Sequence, residues 1–180
     1  IDGNASGSVV TFDNGEGPGS VLDGFTITNG NAASGGGILC IASSPTITNC
    51  TISGNTAGSH GGGLLLTRSS PIITNCTITG NAAGSNGGGI YFGAPFSSCT
   101  PTITNCTISG NTADLGGGMY GEFSSPTIMN CTISGNTASR LGGGIVLTYS
   151  PTIAMTNCTV TGNTAGTSGG GIYVGSSSLT

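Results

Sequence analysis

The chain reads as all-β, a parallel solenoid of about seven coils with three short strands per coil. The first observation behind this is a repeat. Ser-Pro-Thr-Ile-Thr-Asn-Cys-Thr-Ile-Ser-Gly-Asn-Thr-Ala recurs with small changes, and its cysteines Cys50, Cys76, Cys106, Cys131 and Cys158 are spaced by 26, 30, 25 and 27 residues. A near-fixed period of this size marks a protein built by stacking one unit on the next. The second is composition within the unit: Thr, Ile and Val runs punctuated by Gly and Asn, which suits short strands and tight turns and leaves no room for helices. A propeller needs roughly 40 or more residues per repeat, so this period excludes one. All 180 residues are expected in one domain, with 1–20 a degenerate first coil and 21–180 the regular ones.

One coil shows the logic. Pro45 opens the strand Thr46-Ile47-Thr48, where alternation turns Ile47 inward and both threonines outward. Cys50-Thr51-Ile52 has the opposite phase, so the chain must bend sharply at Asn49, a residue that tolerates the left-handed backbone. Ser53-Gly54-Asn55 reads as a second corner of the same chemistry. The third strand starts at Gly61-Gly62-Gly63 and runs through Leu64-Leu65-Leu66.

Repetition then predicts columns. Ile47, Ile73, Ile103, Ile128 and Ile153 form one inward column; Ile52, Ile78, Ile108, Ile133 and Val160 form another. The corners carry Asn49, Asn75, Asn105, Asn130 and Asn157, and Asn55, Asn81, Asn111, Asn136 and Asn163, whose stacked amides can hydrogen-bond along the axis. Further towards the N-terminus, Val21 to Ala32 resembles the later unit, with Phe25 in the cysteine column, and Val9 to Phe12 is a strand of an earlier coil. Asp13 to Gly19 is a loop, and an excursion from Gly93 to Thr100 accounts for the long step.

Charge is scarce: Lys and Arg together number two, Asp and Glu six, for a net of -4. Such a surface cannot gather nucleic-acid phosphates, and no apolar run approaches the roughly 20 residues that cross a bilayer. An opening at Ile1-Asp2-Gly3-Asn4 reads as a processed or excised segment, and the Thr, Ser, Asn and Gly-rich composition reads as extracellular.

Ile-Ser-Gly-Asn-Thr-Ala followed by Gly-Gly-Gly and an aliphatic residue resembles the paired motifs of the chlamydial polymorphic outer membrane protein repeats. Those are an aliphatic or aromatic residue three before Asn, and a Gly-Gly-Ala-aliphatic tetrad. The match falls at Ile52 to Asn55 with Gly61 to Leu64, at Ile78 to Asn81 with Gly87 to Ile90, and likewise in later coils. Ile1 to Asn4 and Leu22 to Ile27 also resemble secreted bacterial right-handed β-helix repeat proteins. The resemblance covers nearly the whole chain. It implies a right-handed helix, an extracellular location and, from the chlamydial relatives, an adhesive role; the alanine of the tetrad is glycine throughout this chain.

Lyases and hydrolases on such a scaffold need clustered carboxylates. Asp2, Asp13, Glu16, Asp23, Asp114 and Glu122 do not share motif positions in adjacent coils, so no catalytic residue, metal or cofactor is expected. Asp114 and Arg140 sit one coil apart and can pair at the surface. His60 reads as a solvated turn residue. The cysteine column, Cys50, Cys76, Cys106, Cys131 and Cys158, reads as reduced thiols acting as small hydrophobes, because parallel Cβ vectors one strand apart suit a disulfide poorly. Asn-Cys-Thr matches the N-glycosylation acceptor at five places, but an asparagine committed to a corner column argues against that use.

Two outward patterns remain. Thr46 with Thr48 and Thr102 with Thr104 form one rank; Thr51 with Ser53, Thr77 with Thr79, Thr107 with Ser109, Thr132 with Ser134 and Thr159 with Thr161 form another. They resemble the flat ladders of ice-binding solenoids, although Thr is also the ordinary outward residue of a half-exposed strand. If Ile38, Leu64, Ile90, Met119, Ile145 and Ile172 face in, then Leu39, Leu65, Tyr91, Tyr120, Val146 and Tyr173 face out as an apolar interaction stripe, unless a loop covers it. The expected function is a non-enzymatic extracellular structural or adhesive module. It would associate with itself, end to end as a surface filament subunit or laterally, or with a cell-surface or polysaccharide partner. Ice binding and a polysaccharide-binding or lyase-like role are the alternatives.

Overall fold

The structure is a computed structural model that describes residues 1–93, 99–150 and 152–177. The chain winds as a parallel β-helix through about six turns, and no helix occurs among the described residues. Four parallel sheets run along the rod. The first holds Val21–Asp23, Thr46–Thr48, Ile72–Thr74, Thr102–Thr104, Thr127–Met129 and Ala154–Thr156. The threonine sheet follows, with Thr26–Thr28, Thr51–Ser53, Thr77–Thr79, Thr107–Ser109, Thr132–Ser134 and Thr159–Thr161. A sheet of mostly two-residue strands, such as Thr56–Ala57 and Ala82–Ala83, comes next. The glycine sheet closes each turn with Ile38–Ile41, Leu64–Thr67, Ile90–Gly93, Met119–Glu122, Ile145–Thr148 and Ile172–Gly175, on top of Val10–Phe12. The short sheet is the addition to the three strands expected per coil. Two residues are too few to show alternation in a sequence.

Register makes the columns real. Ile47, Ile73, Ile103 and Ile128 pair in line with Leu22 before them, and Ile27, Ile52, Ile78, Ile108, Ile133 and Val160 form the neighbouring column. These isoleucines are fully buried, each worth roughly 1.5–3 kcal/mol relative to exposure. One column member differs from expectation. Two extra residues lie between Pro151 and Asn157, so Met155 rather than Ile153 pairs with Ile128, while Ile153 stays buried in the same core.

Size is balanced between coils as well. Leu66, Phe92, Gly121 and Leu147 stack in register, and the Phe92 ring fills the space a side chain at Gly121 would take.

The corners differ in chemistry. Asn49, Asn75, Asn105, Asn130 and Asn157 all take positive φ, between 52° and 55°, and are exposed. The second corner is not of that kind. There Gly54, Gly80, Gly110, Gly135 and Gly162 take the left-handed backbone, which frees Asn55, Asn81, Asn111 and Asn136 to turn inward and be buried. A third corner is not evident from the sequence repeat. Ala42, Arg68, Phe123, Tyr149 and Ser176 are left-handed there, each followed by a serine. Ser43, Ser69, Ser124 and Ser150 are buried, and each hydroxyl donates to the carbonyl two residues back. The varied residue at the bend hides this corner, while the recurring serine after it is the signal that could have revealed it.

Phe25 lies level with Cys50, as its carbonyl accepts the Thr51 N–H just as that of Cys50 accepts the Thr77 N–H. Its ring does not enter the core, however, and is 45% exposed. A phenyl ring is too large for a corner sized to a thiol. Of the excursion from Gly93 to Thr100, residues 94–98 lie outside the described residues, as do 178–180.

Candidate functional site

The apolar stripe is the first candidate, and the structure changes its meaning. Leu39, Leu65, Tyr91, Tyr120, Val146 and Tyr173 do point away from the main core, opposite Ile38, Leu64, Ile90, Met119, Ile145 and Ile172. They are not an open surface. Leu65, Tyr91 and Tyr120 are each 7% exposed and Val146 is 1% exposed; with Leu39, Leu115, Leu141 and Tyr173 they form a second, separate core.

The cause lies in the glycine triplet. Its first glycine is left-handed, at φ 65° for Gly61 and 60° for Gly142, and turns the preceding link back over the strand that follows. A Cβ at Gly61 would lie 2.9 Å from that of Leu65, and one at Gly142 would lie 2.3 Å from a Val146 methyl carbon. The links thus form a lid column in which His60, Asn86, Leu115, Leu141 and Ser168 are aligned. The sequence signal was the apolar residue just before the triplet, as in Leu115-Gly116 and Leu141-Gly142.

His60 belongs to this lid and is not a solvated turn residue. Its ring stacks on Tyr91 at 4.9 Å, Tyr91 stacks on Tyr120 at 5.7 Å, and the buried His60 Nδ1 has no hydrogen-bond partner among the described residues. Burial holds the imidazole below its ordinary range, opposed by the Glu122 carboxylate. Tyr91 donates its hydroxyl to Glu122 Oε1 at 2.5 Å, and burial together with that carboxylate pushes the phenol up. Tyr120 meets the Thr148 hydroxyl at 3.4 Å.

Two predictions arise here. Tyr91→Ser removes a ring packed on both faces and should destabilise the rod by about 3 kcal/mol, a typical cost for deleting a buried aromatic; urea denaturation measures it. The second concerns pH. Because the folded state disfavours protonated His60, its contribution is full above the unfolded value of about 6.5 and is lost as pH falls through the lowered folded value. Thermal melts between pH 5 and 7.5 should therefore fall more steeply on acidification for the native chain than for His60→Phe.

The cysteines are all free thiols. Cys50, Cys76, Cys106 and Cys131 are buried and Cys158 half-buried, and each Sγ approaches backbone carbonyls, as Cys50 does with Thr48 at 3.1 Å. Cys40, in the main core, is pushed up to about 12 by burial. No grouping of three or more His, Cys, Asp or Glu side chains suited to a metal ion occurs among the described residues.

The carboxylates sit in separate surroundings, except that Asp13 and Glu16 both accept from Asn14 in one surface loop. Asp2 accepts from Asn4 N–H and Asn29 Nδ2 beside a shallow cleft of about 370 Å³. Asp23 accepts from Asn49 at 2.8 Å. Asp114 pairs with Arg140 at 3.1 Å and also meets Ser139; this pair is exposed and worth little. Among the described residues, no helix is long and apolar enough to cross a membrane.

The threonine sheet is the surface that remains open. Thr26, Thr51, Thr77, Thr107, Thr132 and Thr159 stack in register, and so do Thr28, Ser53, Thr79, Ser109, Ser134 and Thr161. Apart from Thr51, which is half-buried, the first row is exposed, and none of its hydroxyls has a hydrogen bond to another described residue. In the second row, Ser109 donates to Thr79 at 3.2 Å. Six strands contribute to this face, and none carries a charged residue. The other rank is broken by Ile72 and Met129, and Thr46 there is tied to the Pro18 carbonyl.

The winding, the paired cores and the corner ladders define a parallel β-helix. Residues 22–180 match the family model described as a right handed beta helix region, and the chain belongs to that family. No curated protein and no solved structure gives a significant match.

Proposed function

We propose that this chain is a non-enzymatic structural or adhesive module of the cell exterior, and that it works through the threonine face rather than the tyrosine stripe. The observation behind this reading is the unbroken, uncharged double row of hydroxyls across six strands, with the first row unbonded within the described chain. A neutral hydroxyl array has nothing with which to hold an ionic ligand. It matches a neutral, regularly repeating, hydroxyl-rich polymer, so the partner is a cell-surface polysaccharide. Apart from Asp13 and Glu16, which share Asn14, the carboxylates sit in separate surroundings; this supports the non-enzymatic part, because general acid–base hydrolysis or elimination needs groups converging on one bond.

Retention on insoluble neutral polysaccharides, with sedimentation of the free chain, tests this. Binding that is lost in Thr77→Lys, Thr107→Lys and Thr132→Lys together, with an unchanged melting temperature, is the expected result. No binding to any such polymer, or binding indifferent to the three lysines, overturns it. Association of the chain only with itself would replace the polysaccharide by a second copy.

The same grid favours one second reading, contact with the ordered water of ice, because the array repeats at the strand spacing without a gap. Thermal hysteresis and faceted ice growth that the lysine substitutions remove would select this reading over the first.

A further inference from the structure

We propose that the outer asparagine corner is an N-glycan acceptor face. Asn49, Asn75, Asn105, Asn130 and Asn157 each begin an Asn-Cys-Thr acceptor sequence, and commitment to a ladder counted against that use. The structure removes the conflict. All five are exposed at the apex of a left-handed bend.

A primary amide carries two N–H bonds, and the ladder uses one of them. Asn75 donates to Asn49 Oδ1 at 3.3 Å, Asn105 to Asn75 at 3.3 Å and Asn130 to Asn105 at 3.2 Å. A sugar on the second N–H leaves those bonds in place. The threonine that completes each acceptor stands on the open face, with Thr77, Thr107, Thr132 and Thr159 exposed.

The inner asparagines are the internal contrast. Asn81 donates to the Ile52 carbonyl at 2.9 Å and to Asn111 Oδ1 at 3.0 Å, so both protons are used, and the same holds for Asn55, Asn111 and Asn136. Those residues precede Thr-Ala or Ala-Ala and form no acceptor sequence. A further match, Asn4-Ala5-Ser6, is likewise exposed with Asn4 left-handed. Acceptor sequences therefore fall on exposed asparagines and never on the buried column.

In the transfer, the amide nitrogen bonds to the anomeric carbon of a lipid-pyrophosphate-linked oligosaccharide. The anomeric carbon–oxygen bond breaks, lipid pyrophosphate leaves with the electron pair, and the amide gives up one proton. Successive acceptors stand about 4.8 Å apart, closer than branched glycans can sit side by side. Fewer than five are filled on one molecule. This inference goes beyond the adhesive reading and stands or falls separately from it.

The test uses the full chain with an added C-terminal Asn-Gly-Thr tag, secreted by a eukaryotic host, with intact mass measured before and after peptide N-glycosidase. In parallel, folded bacterial product is treated with purified transferase and lipid-linked donor. Expected are glycan masses beyond that of the tag, mapping to corner peptides, in material with native circular dichroism and melting. Thr→Val at Thr51, Thr77, Thr107, Thr132 and Thr159 should remove them and keep the fold. A glycosylated tag beside a bare corner in folded material from both arms overturns the proposal. So does corner glycan confined to unfolded product.

Discussion

Gly88→Ala should abolish folding. A Cβ at this position would stand 2.4 Å from the Thr112 carbonyl oxygen and 2.5 Å from that of Gly117. Both are backbone atoms of the next coil, held in ladder bonds, so no rotamer change relieves the contact. The equivalent glycines Gly62, Gly117 and Gly143 each meet the corresponding pair of carbonyls in their own next coil, all within 2.6 Å. One methyl group must therefore pry two coils apart, a loss above about 4 kcal/mol, in the range reserved for the most damaging substitutions. Gly80→Ala is the control. It lies in a corner, at φ 62°, and a Cβ there meets nothing within 4 Å, so only the left-handed backbone penalty of about 1–2 kcal/mol applies. Urea denaturation of the two variants should separate them clearly; similar midpoints would mean that the glycine sheet is not packed this closely.

The next largest effect is expected at Asn111. Its side chain accepts from the Asn81 backbone N–H at 2.9 Å and from Asn81 Nδ2 at 3.0 Å, and donates to the Ile78 carbonyl and to Asn136 Oδ1, each at 3.0 Å. Asn111→Ala orphans several of these groups where no water reaches, at roughly 1–3 kcal/mol for each buried group left unmade. A total loss of at least about 3 kcal/mol should follow. Asn105→Ala, on the exposed corner, costs two solvated ladder bonds, one to Asn75 and one from Asn130, and an alanine at φ 55°, about 1–2 kcal/mol. Thermal unfolding of the pair reads the difference, and equal losses would mean that the two columns are not inner and outer.

That contrast also marks the limit of what was legible in the chain. The period, the isoleucine columns and the bend at Asn49 follow from local alternation, which a sequence displays directly. The two asparagine columns look alike in a sequence, because each ends a short strand. What separates them is the residue taking the left-handed turn: Asn49 itself in one case, Gly54 in place of Asn55 in the other. Alternation puts the stripe from Leu39 to Tyr173 on the side away from the main core, yet its burial depends on a link folding back at Gly61 or Gly142, a tertiary event that period-two reasoning does not contain. The same folding back packs His60 on Tyr91, although its place in a variable link reads as a solvated turn. Met155 displaced Ile153 because an insertion shifts a register that only pairing between coils fixes.

The working surface we propose is the threonine face, with the tyrosines inside the rod. The direct test measures retention on a neutral polysaccharide and melting temperature together, for the triple lysine variant at Thr77, Thr107 and Thr132 and for Tyr91→Ser. The lysine variant is expected to melt like the native chain and not to be retained, whereas Tyr91→Ser melts lower and its folded fraction is still retained. A tyrosine variant that melts normally and loses binding, beside a lysine variant that still binds, would contradict this placement.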